Sequence, residues 1–184
     1  MNLQDLTKEC KQGSIAAQKC LFDHFAESMM MVCCRYVKNE QDAEEVLLDG
    51  FRKFFKSIAT FQYKSEPALF AWIKKIMVNE SLMFLRKRNA FVLTTETEYE
   101  NIAWDDQLLD SLSAAEIFRT ITQLPVGYRT VFNLFAIEGM GHKEIAALLN
   151  ITEGTSKSQL SKARQLLQKM LIQQNEEYAN RKIN

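Results

Sequence analysis

Proline and glycine are scarce in this chain, two and six of 184 residues. A fold of many tight turns needs more of both, so helices remain as the main element. Histidine is just as scarce: His24 and His142 are the only two, and neither has Cys, Asp or Glu at a spacing that forms a known metal site. There is no Gly-rich phosphate loop and no nucleophile motif. The four cysteines (Cys10, Cys20, Cys33 and Cys34) fit no zinc spacing and contain no Cys-x-x-Cys. They read as reduced, partly buried thiols. The sequence therefore predicts no enzyme, no metal and no cofactor. The apolar run Met29 to Val32 is far too short to cross a bilayer, and no signal-like stretch opens the sequence. A cytoplasmic protein without membrane insertion is expected.

Net charge is also lacking: 23 basic residues balance 23 acidic ones. The balance hides a split. Asn89 to Leu112 holds six acids (Glu96, Glu98, Glu100, Asp105, Asp106, Asp110) and no Lys or Arg, leaving 23 bases against 17 acids elsewhere. This acidic stretch has no clear periodicity and reads as a linker.

What is present is helical periodicity on both sides of it. Residues 3 to 12 suit a short first helix. Ala17, Leu21, Phe25, Met29, Cys33 and Tyr36 mark a second, which Lys38-Asn39-Glu40 breaks. Asp42, with Glu45 three residues on, reads as the cap of a third, whose seam is Ala43, Val46, Leu47, Phe51, Phe54, Phe55 and Ile58. Thr60 to Glu66 reads as a loop. Ser65 and Pro67 open a fourth helix, which ends in Arg86-Lys87-Arg88. Beyond the linker, Ser113 with Glu116 forms a capping box, and the helix it opens runs to Leu124-Pro125. A helix bearing Tyr128, Val131, Phe132 and Phe135 follows, stopped by Glu138-Gly139. His142 to Leu149 forms another, ending at Asn150. Thr152 caps the last, with a seam of Leu160, Ala163, Leu167 and Met170. The expected fold is all-α: residues 1–88 and 113–184 form two small helical domains, joined by the acidic flexible linker 89–112.

The final helix carries the clearest functional pattern. Lys157, Ser161, Arg164 and Gln168 recur opposite its apolar seam, so one face is polar and partly basic. Preceded by two short helices, this is a helix-turn-helix whose last helix enters a DNA groove. An ordinary solvated basic face is the alternative.

From about residue 14 to 172 the chain resembles the extracytoplasmic-function (ECF) class of bacterial RNA polymerase sigma factors. The first block is similar to the family's region two, in Asp42-Ala43-Glu44-Glu45-Val46 before Phe51, Phe70-x-Trp72-Ile73, Asn79 and Leu85-Arg86-Lys87-Arg88. The second is similar to region four, in Leu124-Pro125, Arg129-Thr130-Val131-Phe132, His142-Lys143-Glu144-Ile145-Ala146, Gly154-Thr155-Ser156-Lys157-Ser158 and Lys162-Ala163-Arg164. The resemblance implies a factor that binds core RNA polymerase at the β′ clamp and the β flap, directs it to promoter DNA and assists melting. It also implies an anti-sigma protein as a regulator.

Residue by residue, the resemblance implies that Lys157, Ser158, Ser161 and Lys162 reach into the groove of the upstream promoter element, with Thr155 and Arg164 on phosphates. It implies that Glu45 and Asp49 face the polymerase clamp. Arg52 and Lys56 share their stripe, and for these two a solvent-facing role fits equally well. Phe61, Tyr63, Lys64, Phe70, Trp72, Lys74, Lys75 and Asn79 would hold a melted strand on aromatic platforms and cations. Trp72 fits a core position as well as a strand-separating one. Arg86, Lys87 and Arg88 would contact backbone phosphates. The linker would thread a basic channel, with Trp104 and Leu108-Leu109 as anchors; a disordered spacer that keeps the two domains soluble is the alternative.

The chain departs from the family pattern at several positions. Gln159 replaces Arg, Ser156 replaces a packing Val, Gly141 replaces a Ser or Thr cap and Met83 replaces Asp. The loop from Gln62 to Pro67 lacks glycine. A stand-alone helix-turn-helix regulator is the competing reading, and it predicts no stable polymerase complex.

Overall fold

The computed structural model describes residues 2–88 and 113–181. Their regular structure is helical throughout, and the chain divides into two compact units, Met1–Asn89 and Ala90–Asn184. The expected linker, with Trp104 and Leu108-Leu109, lies outside the described residues.

The first unit holds α1 (Leu3–Lys11), α2 (Ile15–Val37), α3 (Glu40–Ser57) and α4 (Glu66–Lys87), with a 3-10 turn at Ile58–Thr60. Each helix start has a local cause. Asn2, Ser14, Asn39 and Ser65 stand in extended backbone and accept from a main-chain N–H of the first turn. The α3 cap is thus Asn39, not Asp42. Its amide oxygen lies 3.0 Å from the Asp42 nitrogen, which starts the helix at Glu40. Asp42 is used elsewhere: Arg88 Nη1 donates to its Oδ2 at 2.7 Å, joining the start of α3 to the end of α4.

α2, α3 and α4 pack against one another, and α1 lies against α2 and the 3-10 turn. Leu21, Met29, Tyr36, Phe54, Leu69, Ile73 and Met77 are fully buried between them. Phe55, expected on the α3 seam, is half-buried, as is Phe22 of α2. Gly50 sits on the α3 seam because of its neighbour. A Cβ built there would run into Met77 Sδ and Cε, so any larger residue requires the Met77 side chain to move aside. Lys53 Nζ and Glu80 Oε1, 2.6 Å apart, bridge the same two helices. The Glu80 side chain is only 10% exposed while Lys53 is 42% exposed, so loss of the lysine would leave a largely buried carboxylate without its partner.

The second unit holds α5 (Ala114–Gln123), α6 (Val126–Phe132), α7 (His142–Leu149) and α8 (Glu153–Arg181). Ser113 and Glu116 form the expected reciprocal capping box. α6 does not stop at once but runs on through a π-helical turn, Asn133–Ile137, before Gly139 turns the chain at φ +71°. Asn150 ends α7 in the left-handed conformation, φ 55°. α8 packs on α5, α6 and α7 through Leu160, Ala163, Leu167 and Leu171, with Met170 only half-buried.

Arg129 is the unexpected element of this core. It is 3% exposed, and its Nη1 donates to the carbonyls of Leu124 at 2.9 Å and Thr122 at 3.2 Å. These carbonyls end α5 and have no partner within the helix. Burial holds the guanidinium pKa below its usual value, though an arginine remains charged there.

Candidate nucleic-acid interface

In the second unit α7, the turn 150–152 and α8 form a helix-turn-helix. Thr152 Oγ1 accepts from the Thr155 nitrogen at 3.0 Å and caps α8, and the two hydroxyls pair at 2.8 Å. Ser158 Oγ donates to the Thr155 carbonyl. Lys157, Ser158 and Ser161 are exposed on the first turns of α8, while Thr155, Lys162 and Arg164 are half-buried. Lys157 Nζ lies 2.9 Å from Glu153 Oε1, and this contact holds the Glu153 carboxyl below the usual carboxylate range. The Arg164 guanidinium stands 5.8 Å from the centre of the Phe135 ring.

Gln168 departs from the expected stripe: it is 5% exposed. It shares a helical face with Lys157 and Ser161, but that face is open at residues 157 and 161 and covered at 168. Ser156 is buried as a packing position would be, and it meets a polar partner there. His142 Nδ1 lies 3.0 Å from Ser156 Oγ, and the His142 ring stacks on Phe135.

In the first unit, the loop 61–65 and α4 carry the aromatic and basic residues. The Phe61 and Trp72 rings lie parallel, 8° apart with centroids at 4.5 Å, and Trp72 also leans on Phe54 at 5.2 Å. Trp72 is half-buried, so it is neither a sealed core residue nor a free surface one. Phe70 packs toward Phe25, with centroids 6.4 Å apart. Tyr63 and Lys74 are half-buried, and Lys64, Lys75 and Asn79 are exposed. Trp72, Lys75 and Asn79 follow at steps of three and four, which places them on one side of α4.

The basic end of α4 lies elsewhere. Lys87 and Arg88 line a groove of about 230 Å³ between α3 and α4, together with Glu45, Asp49, Arg52, Lys53, Glu80 and Met83. Arg52 Nη2 donates to Asp49 Oδ1 at 3.1 Å within it. The Arg88 guanidinium covers the Phe84 ring at 4.5 Å while holding Asp42. Two of the three residues expected on DNA phosphates thus share a groove with Glu45 and Asp49, expected on polymerase, and with Arg52. Arg86 and Lys56 are exposed.

All four cysteines are free. Cys10 and Cys33 are buried and Cys34 half-buried, while Cys20 is exposed rather than partly buried. Burial raises the Cys10 thiol to about 11 and Cys33 to about 12. Among the described residues, no cluster of three His, Cys, Asp or Glu could hold a metal, and no helix is long and apolar enough to cross a membrane.

Two family models match the chain, one in each unit: Sigma-70 region 2 over residues 21–91 and Sigma-70, region 4 over residues 114–167. Two curated relatives match along nearly their whole length. An ECF RNA polymerase sigma-E factor of Haemophilus influenzae is 25% identical over 90% of this chain and 93% of its own. An ECF RNA polymerase sigma factor, SigW, of Bacillus subtilis is 29% identical over 93% and 97%. The chain belongs to the ECF sigma factors. A solved structure of the sigma factor RpoE with the anti-sigma factor NepR, from Bartonella quintana, aligns over 84% of this sigma factor and 96% of that chain, at 22% identity and TM-score 0.49.

Sequence reasoning missed three contacts of this sigma factor: Asp42–Arg88, Lys53–Glu80 and Lys11 with the Phe61 carbonyl. Their partners stand 46, 27 and 50 residues apart. No local pattern announces pairs at such separations.

Proposed function

We propose that this ECF sigma factor initiates transcription in the cytoplasm by binding core RNA polymerase and contacting one promoter through two separate units. Residues 1–88 act as the region 2-like domain. Their α3 face, with Glu45, Asp49 and Arg52, docks on the β′ clamp. The loop 61–65 and the Trp72, Lys75 and Asn79 side of α4 receive the melted downstream strand, with Phe61 and Trp72 as a stacking platform. Residues 113–184 act as the region 4-like domain at the β flap. There α8 enters the major groove of the upstream element, led by Lys157, Ser158 and Ser161. Residues 89–112 join the two. An anti-sigma protein that covers the polymerase-binding surfaces holds the free factor inactive.

The observation that carries this reading is a sigma-type match in each of the two units, with an exposed polar helix face in both. Run-off transcription with core enzyme, on a fragment from upstream of the protein's own gene, tests it. A discrete transcript that needs the added factor is expected. A chain that neither associates with core polymerase nor starts a transcript, yet still binds duplex DNA, would instead be a stand-alone regulator.

A further inference from the structure

The Sigma-70 region 2 match begins at residue 21, so α1 lies ahead of it. α1 is nonetheless built into the unit. Leu6 and Cys10 are buried, and the helix rests on α2 and on the 3-10 turn that leads into the loop 61–65. Its last residue, Lys11, is exposed, and its ammonium donates to the carbonyl oxygen of Phe61. Phe61 is thereby held at three points. Its N–H donates to the Ile58 carbonyl at 3.1 Å, its carbonyl accepts from Lys11, and its ring lies on Trp72. A hydrogen bond from a charged donor is stronger than one between neutral groups. Fixing the carbonyl of a loop's first residue also fixes the direction in which the chain leaves it.

We propose that Lys11 is a positioning residue for the strand-binding loop. It orients the Phe61 peptide so that the Phe61–Trp72 platform stays assembled and Tyr63 and Lys64 are presented in one arrangement. This rests on reading that loop as the receiver of the melted strand. A phosphate contact by Lys11 itself is the competing use of the same charge, and salt dependence separates the two.

The test uses full-length protein in the Trp104→Phe background, which leaves Trp72 as the single tryptophan. Lys11→Met should shift the Trp72 emission as the Phe61 stack loosens, and Lys11→Arg should restore it. An unchanged spectrum overturns the proposal. In holoenzyme with core polymerase, the probe is the labelled non-template single strand of the fragment used for run-off transcription. Lys11→Met should bind it roughly tenfold more weakly, with the slope of log K against log salt unchanged. A slope reduced by about 0.7 would make Lys11 a phosphate contact and overturn the positioning role. Equal binding by wild type and Lys11→Met overturns the role of Lys11 alone. A wild-type holoenzyme that does not bind the strand overturns the loop reading, and this inference with it.

Discussion

His142 Nδ1 and Ser156 Oγ, 3.0 Å apart, join the first residue of α7 to a buried position on α8. The turn between the two helices of the DNA-binding motif is therefore held by a polar contact, with Phe135 stacked behind the imidazole. Ser156→Ala leaves the ring nitrogen without its partner. It should lower stability by about 1 kcal/mol in urea denaturation. His142→Phe should cost a similar amount and keep the stack. The double variant should lose clearly less than the sum. Additivity within about 0.3 kcal/mol would mean that the two side chains act independently.

Arg129 closes α5 from outside the helix, donating to two of its terminal carbonyls from a site 3% exposed. Arg129→Met keeps much of the volume and removes the donors. One buried and one part-buried acceptor left without this donor should destabilise the chain by about 2 kcal/mol. Hydrogen exchange should place the loss in α5 and α6. Protection unchanged at both would show that water replaces the guanidinium without penalty.

The helices were legible where their causes are local. Ser65, Ser113 and Thr152 cap within three residues of themselves, and the apolar seams they precede are periodic. The α3 cap was misplaced for a physical reason. Asn39 and Asp42 are both good caps, and what separates them is Arg88, 46 residues from Asp42. Helical spacing likewise put Gln168 with Lys157, because a wheel repeats along the axis while the packing around α8 does not. Met77 against Gly50 and Lys11 on Phe61 left no trace in the sequence, since each depends on how helices cross. The exposed residues of α8 were readable because a polar stripe needs only the helix that carries it. The α3–α4 groove was half readable: its acids stand on one helix, but Lys87 and Arg88 enter it only through packing.

Glu153 restrains the lysine that leads α8. Their 2.9 Å pair is exposed and spaced i, i+4, so it is weak, and on the proposed reading it competes with DNA for Lys157. Glu153→Gln should tighten binding of upstream duplex roughly threefold at low salt, with the gain fading as salt rises. Lys157→Ala should weaken binding and reduce the log–log salt slope by about 1. If neither variant changes the affinity measured by fluorescence anisotropy, α8 meets DNA through another face.

Thiol chemistry should single out one cysteine. Cys10 is pushed up to about 11 and Cys33 to about 12 by burial, so neither forms appreciable thiolate at pH 8. Burial also raises the half-buried Cys34. Cys20 is exposed. Alkylation of the folded chain with iodoacetamide at pH 8 should show one fast site by mass spectrometry, and Cys20→Ser should abolish it. Fast modification of Cys33 would mean that α2 opens on the labelling timescale.

The start of α5 should weaken in acid. The Ser113 hydroxyl and N–H both donate to Glu116 Oε2, at 2.6 and 2.9 Å, and hold its carboxyl below the usual carboxylate range. A carboxylate whose folded pKa lies below its unfolded one contributes stability that is complete above the unfolded value. As pH falls past 4.5, the unfolded chain takes up the proton first, and the contribution disappears once pH passes the folded value. Exchange protection of the first turn of α5 should therefore decline as the pH falls through and below the ordinary carboxylate range. Glu116→Gln keeps an acceptor oxygen but cannot titrate, so its protection should start lower and stay flat across that window. An equally steep decline in Glu116→Gln would assign the acid sensitivity to another carboxylate, and Glu153, held down in the same way by Lys157, would be the next to replace.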